Sequence, residues 1–365
     1  MMKMRKKKQY KSMRKFVWVA AVAVAVAACA ENEKVEVSTP ADVDVPVYFQ
    51  TAPYTRLTEF EHTYIFESAA WYLEKGKTWE QNSEEGVKYI PESEISYMSN
   101  VWRSVHPYYW PKTGGSLSFY SWSLNKENLD FNKGSKATVT IDRDKGVLLD
   151  NFDITVDKGI DFLVAVPALN QTKNQDLYYT NGVPTLFKHK LSSLQITAAT
   201  QDEYPGKTIT VTGIKITGVA KEADYQEGEE NGQGEWNVID QWTVDPSAGT
   251  YDADFYDGSD GGTEVSTNTV TFGGEQTIYI PQDFTGDEML EITYEIYDEV
   301  SGITETITVK IPLKEALKTA SGTDDGKFEP GKEYTLNLKF SLELVTWDPA
   351  VDDWDDETKG VSVQE

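Results

Sequence analysis

Residues able to do chemistry are few in this chain once its carboxylates are set aside. There is one cysteine, Cys29, and three histidines, His62, His106 and His189, far apart in sequence and in no zinc-ligand spacing. A lone thiol at Cys29 offers nucleophilic or acyl-acceptor chemistry only. His189 is read as structural. No Gly-x-Ser-x-Gly elbow and no Walker-type loop is present. Acids are everywhere, so the cluster Asp352, Asp353, Asp355 and Asp356 reads as a solvated segment and not as a paired glycosidase site. Asp252 to Asp260 has the flavour of a calcium loop, but its spacing departs from the EF-hand and the bidentate glutamate is missing. No cofactor, metal site or catalytic residue is expected, and the chain is not expected to be an enzyme.

The context of Cys29 gives it a different chemistry. A leader rich in lysine and arginine (Lys3 to Lys15) precedes an unbroken apolar run from Phe16 to Ala28. A positive start, a short apolar core and small residues at a cut site make a secretory signal, and the run is shorter than the about 20 residues of a membrane-spanning helix. It ends Val26-Ala27-Ala28-Cys29, which resembles a lipobox: cleavage between Ala28 and Cys29, then acylation of the new N-terminal cysteine. Acyl chains supply about 0.8 kcal/mol per buried methylene, enough for anchoring when more than one is attached. Residues 1–28 are thus expected to be a lipoprotein signal peptide, and 29–42, polar and acidic, a tether.

Loss of the eight leader cations moves the formal charge from −26 to about −34. Such a surface repels phosphates, and no basic stripe remains beyond the leader, so nucleic-acid partners are excluded. With no second cysteine there is no intrachain disulfide, and stability must come from a buried core.

The elements carrying that core have a period of two. Val43, Val45, Val47 and Phe49 alternate with Asp44, Pro46 and Tyr48, the pattern of a half-buried strand, which Pro46 assigns to a sheet edge or to partial pairing. Aromatics crowd residues 64–129, and Trp102, Trp110 and Trp122 fall in strand-like contexts suited to a core. Trp236, Trp242 and Trp354, in more polar surroundings, are the better candidates for exposure. Asp161 to Pro167 reads as a buried strand. After Ile209 and Val211 the apolar phase flips at Gly213 to Ile214 and Ile216, the trace of a β-bulge. Lys221 to Gly234, acidic and glycine-rich, reads as an exposed loop. Leu290 to Ile296 and Ile303 to Ile311 read as a hairpin turning at Asp298 to Gly302. Tyr334 to Leu344 is the longest alternation, and Leu313 to Ala320 the one short helix. The fold class is all-β, in two sandwich-like domains.

Several stretches, in this order along the chain, are similar to the fimbrillin-like proteins of gut and oral anaerobes. They are Tyr109-Trp110-Pro111 leading to Leu117-Ser-Phe119-Tyr120, then Phe162 to Ala165, Val183-Pro184 through Phe187 and His189 to Ser192, Phe328 to Leu336, and Trp354. The resemblance implies two transthyretin-like β-sandwich domains in tandem, 43–187 and 188–365, the first with a detachable first strand. It implies a lipidated pilus subunit carried to the outer membrane surface and cut after an arginine by a trypsin-like protease. The next subunit then adds a β-strand to the emptied groove. Arg56, followed by Leu57, stands where that cut is expected. The tail with Val351, Trp354, Val361 and Val363 is the candidate donor strand. The expected partners are other pilus subunits, the outer membrane through lipid on Cys29, and a host protein or glycan ligand. The alternative is a glycan-binding lipoprotein that stays anchored and does not polymerise.

Overall fold

The structure is a computed structural model that describes residues 44–51, 60–78, 81, 88–173, 182–230, 236–318 and 326–354. It is all-β, with strands packed in sandwich fashion around three apolar clusters.

The largest sheet has nine strands. Along it run Val183–Pro184, Phe49–Gln50, Val101–Ser104, Lys88–Met98, Phe66–Leu73, Ser116–Ser123, Leu163–Ala165 and Phe187–His189, with Ala168–Gln171 also paired to Ser116–Ser123. Its central strands are buried on both faces. From Phe66–Leu73, Phe66 and Ala70 enter one cluster while Ala69 and Trp71 enter another. A strand covered on both sides has no polar face, and Ser116–Ser123 accordingly sends Leu117 and Phe119 into one cluster and Tyr120 and Trp122 into the other.

A second sheet, ordered Trp236–Val244, Glu222–Glu230, Gly146–Asp153 and Thr138–Asp142, packs over one face of the first through Leu149, Phe152, Ala223 and Tyr225. The segment Lys221 to Gly234 is therefore not an exposed loop. Its described part, Glu222–Glu230, is an inner strand with Ala223, Tyr225 and Glu227 buried. The acids lie mostly on the outward face, and Glu227 on the inward face hides the alternation. This hairpin pairs with Gly146–Asp153 (Tyr225 opposite Leu149), so strands from either side of residue 187 share one sheet.

The remaining strands make another sandwich. One sheet runs Val270–Tyr279, Ser192–Thr200, Lys332–Phe340 and Val345–Asp353, and the facing sheet runs Thr250–Tyr256, Lys207–Ala220, Met289–Asp298 and Ile303–Pro312. Ile196, Ile214, Leu290, Tyr294, Leu336 and Leu338 meet between them, each at most 1% exposed. The register of Lys207–Ala220 on Met289–Asp298 shifts between Val211 and Gly213, the bulge that the phase flip predicts. The turn at Asp298 is closed by its carboxylate, which accepts from the Val300 and Ser301 amides at 2.9 Å. Among the described residues, α-helix is confined to Leu313–Ala316, with Leu313 and Ala316 buried, beside a 3-10 turn at Pro246–Ala248. The long alternation stops at Phe340, short of Leu344. Ser341 accepts from the Leu344 amide and the chain reverses into Val345–Asp353, leaving Leu344 half exposed.

Candidate functional site

The first described segment, residues 44–51, lies in a slot. On one side Val47 donates its amide to the Tyr108 carbonyl at 2.8 Å, and Trp110 donates to the Val45 carbonyl at 2.9 Å. On the other, the amides of Val183 and Thr185 donate to Tyr48 and Gln50 at 2.7 and 2.9 Å. Phe49 pairs in parallel with Val183 and antiparallel with Trp102. Of the two expectations for this strand, an edge position or partial pairing, the second holds: only Phe49–Gln50 is regular strand, with an isolated bridge at Pro46. The segment is next to the edge, and the two-residue strand Val183–Pro184 lies outside it.

Pro46 is tolerated there for a geometric reason. It faces Tyr109 in an isolated bridge whose hydrogen bonds come from residues 45 and 47, so the amide that proline lacks is not called upon on that side. Val47 and Phe49, both 4% exposed, point into the core. The Phe49 ring meets Phe66 and Phe119 edge-on, with centroids 5.5 and 5.7 Å apart. Phe60 enters the same cluster from the far end of residues 52–59 and stacks on Phe187 at 4.7 Å. Vacating the slot would expose the Phe66, Trp102 and Phe119 side chains together with backbone donors and acceptors on both walls.

Of the residues singled out in the sequence, Ala28, Cys29, Arg56, Leu57, Val361 and Val363 lie outside the described residues. In sequence, Arg56 and Leu57 fall between the buried residues Thr51 and Phe60. Val351 sits on the edge strand Val345–Asp353, opposite Tyr334. Trp354 follows it, donating its amide to the Gly331 carbonyl at 2.9 Å and stacking on His189 at 4.1 Å and 9°. His189 in turn meets Asp161 at 2.8 Å. His62 stacks on Tyr97 and His106 is exposed, so the histidines do not converge. Among the described residues, no group of three or more His, Cys, Asp and Glu could hold a metal ion. In the Asp252 to Asp260 stretch, Asp252 accepts from the Gly218 amide, Asp254 pairs with Lys215 and Asp257 accepts from the Ser259 amide.

Some of the tryptophans are placed differently from expectation. Trp236 and Trp242 are half-buried against the core, and the Trp242 indole donates to the Lys190 carbonyl at 2.7 Å. Trp102 and Trp122 are buried, whereas Trp110 is half-buried and lines an open cleft. Composition had also concealed a buried polar cluster. Lys190 reaches Asp240 at 2.8 Å, Tyr225 donates to the same carboxylate at 2.6 Å, and Glu227 accepts from the Val147 amide at 2.9 Å. Burial pushes the Glu227 carboxyl up to about 8. An acid inside an otherwise alternating apolar strand was the signal available for it.

The profile of the fimbrillin-like family matches residues 68–354, most of the chain, and the protein belongs to that family. None of the curated proteins matches it. Among solved structures, a fimbrial protein from Bacteroides vulgatus ATCC 8482 has the same fold, with a TM-score of 0.59 at 18% identity over 85% of this chain and 99% of that one. A proposed cell adhesion protein from Bacteroides uniformis ATCC 8492 aligns with a TM-score of 0.46 at 15% identity, over 85% of this chain and 99% of that one. Another from Parabacteroides distasonis ATCC 8503 gives 0.44 at 11%, over 87% and 98%.

Proposed function

We propose that this protein is a structural and adhesive subunit of a cell-surface pilus, assembled by exchange of its first strand. The observation that carries the proposal is the seating of Val47 and Phe49, buried in an aromatic core yet belonging to a segment only two strand residues long. Membership of the fimbrillin-like family supports the same role. Export proceeds as a lipoprotein, with cleavage between Ala28 and Cys29 and acylation of Cys29 holding the chain at the outer membrane. A protease cuts between Arg56 and Leu57. The severed strand is then held by noncovalent contacts alone. Its departure uncovers apolar surface and unpaired backbone groups, which drives addition of a strand from another subunit.

The donor is the tail with Val351, Trp354, Val361 and Val363. Its first part rests on the edge of its own sheet, so donation requires that edge strand to peel away. The chain is organised as two halves, 43–187 and 188–365, the hairpin Glu222–Glu230 and Trp236–Val244 of the second completing a sheet of the first; it has no enzymatic activity and presents a surface to host protein or glycan.

Limited trypsin treatment of the purified protein tests this. One clean cut after Arg56 followed by polymers is the expected result. A cut with no polymer, or no cut at that bond under conditions that leave the fold intact, contradicts strand exchange and leaves an anchored surface protein.

A further inference from the structure

A cleft of about 510 Å³ opens between the turn at residues 74–77, the segment from Trp110 to Ser116 and the strand end Asn170 to Lys173. Its volume is that of a small-molecule site. Its charge runs against the rest of the chain, whose formal net charge is −26 even with the leader counted. About half of the described lysines pair with a neighbouring carboxylate, as Lys112 does with Asp44, Lys207 with Asp298 and Lys310 with Glu291. Lys77, at the cleft, is paired with Glu74 in the same way at 2.5 Å.

Lys75 and Lys173 belong to the unpaired half, and both line this one cleft. Among the described residues neither has a carboxylate within ion-pair distance, although Lys173 is half-buried. Two ammonium groups left uncompensated at one cleft, in a protein with so many acids, form a site for negative charge. Trp110 supplies an apolar wall beside them, and Asn170 and Ser116 supply hydrogen-bonding side chains. Gly115 keeps the floor open. It has φ +88°, and a Cβ there would lie 2.5 Å from the Leu73 carbonyl.

From this combination we infer that the cleft binds an acidic sugar residue of a polysaccharide. The anionic substituent, carboxylate or sulfate, sits between Lys75 and Lys173, the ring lies against Trp110, and ring hydroxyls meet Asn170 and Ser116. Trp110 is shared with the first-strand slot, where its amide donates to the Val45 carbonyl, while the lysines, Asn170 and Ser116 lie outside that slot, so binding is to be read on the uncut chain. A free anion would use the lysines but leave the tryptophan wall without a role, and a neutral sugar would leave both charges unanswered.

Affinity electrophoresis of the purified protein through gels containing polygalacturonate, chondroitin sulfate or dextran decides the matter. The prediction is retardation by at least one acidic polymer and none by dextran. Retardation by polygalacturonate alone assigns a carboxylate, and by chondroitin sulfate alone favours the sulfate. Lys75→Gln with Lys173→Gln should weaken it about tenfold or more, the loss of charge-assisted hydrogen bonds. Lys133→Gln with Lys136→Gln removes the same charge at exposed positions outside the cleft and should leave retardation unchanged. Failure to bind either acidic polymer, equal retardation by dextran, or an equal loss in both double variants overturns the assignment.

Discussion

Phe49 stands edge-on to Phe119, with ring centroids 5.7 Å apart and planes at 88°. One ring belongs to the first short strand and the other to a central strand of the nine-stranded sheet, so the segment ahead of residue 52 completes a core that the rest of the sheet leaves open. Phe49→Ala should therefore cost about 3–5 kcal/mol, as for other buried aromatic truncations. Chemical denaturation should show a lower midpoint at an unchanged slope. A loss below about 1 kcal/mol would mean that the ring is not part of the cooperative core.

Glu227 makes stability depend on pH. Its folded-state pKa of about 8 lies above its ordinary value of 4.5, so between those pH values the folded chain keeps a proton that the unfolded chain releases. Stability must then fall as pH rises through this window and level off above it, by up to roughly 3 kcal/mol at pH 7 from this group. Glu227→Gln keeps an acceptor for the Val147 amide and cannot ionise. It should match the wild type near pH 4 and exceed it at pH 8, as read by melting temperature. Equal slopes in the two proteins would refute the buried neutral acid.

Gly146 and Gly134 separate crowding from backbone strain. Both have positive φ, 74° and 94°, but a Cβ at Gly146 would sit 2.3 Å from Glu227 Oε2 and 2.8 Å from the Trp236 ring, while one at Gly134 meets nothing within 4 Å. Gly134→Ala should cost about 1–2 kcal/mol from strain alone. Gly146→Ala should cost clearly more, and the difference between the two variants in urea unfolding measures the packing around Glu227.

Much of this fold is legible in the sequence, and the exceptions share one cause. Met289–Asp298, Ile303–Pro312 and Lys332–Phe340 can be read from alternation because each has one apolar and one polar face, and the glycine at 213 betrays its bulge. Alternation fails where polarity and burial part company. The strand Glu222–Glu230 reads as a loop because its inward series ends in Glu227, and Leu342 and Leu344 prolong a pattern across a turn. Trp236 and Trp242 have polar neighbours in sequence but apolar ones in space. For the site, Val47 and Phe49 are legible as a strand. Their position inside the edge is not, because it is set by Val183–Pro184, more than a hundred residues away.

The proposed lipid attachment has its own consequence. Cys29→Ala removes the acyl acceptor, and the protein should move from the membrane fraction to the soluble fraction while its fold, judged by circular dichroism, stays the same. Continued sedimentation with membranes would show that something other than acyl chains anchors it.

The most direct measurement of the central claim is the N-terminus of the protein on the cell surface, by sequencing or peptide mass. Strand exchange predicts a chain that begins at Leu57, lacking Val47 and Phe49, in assembled fibres. A surface form that keeps an acylated Cys29 and its first strand while fibres are present would contradict it.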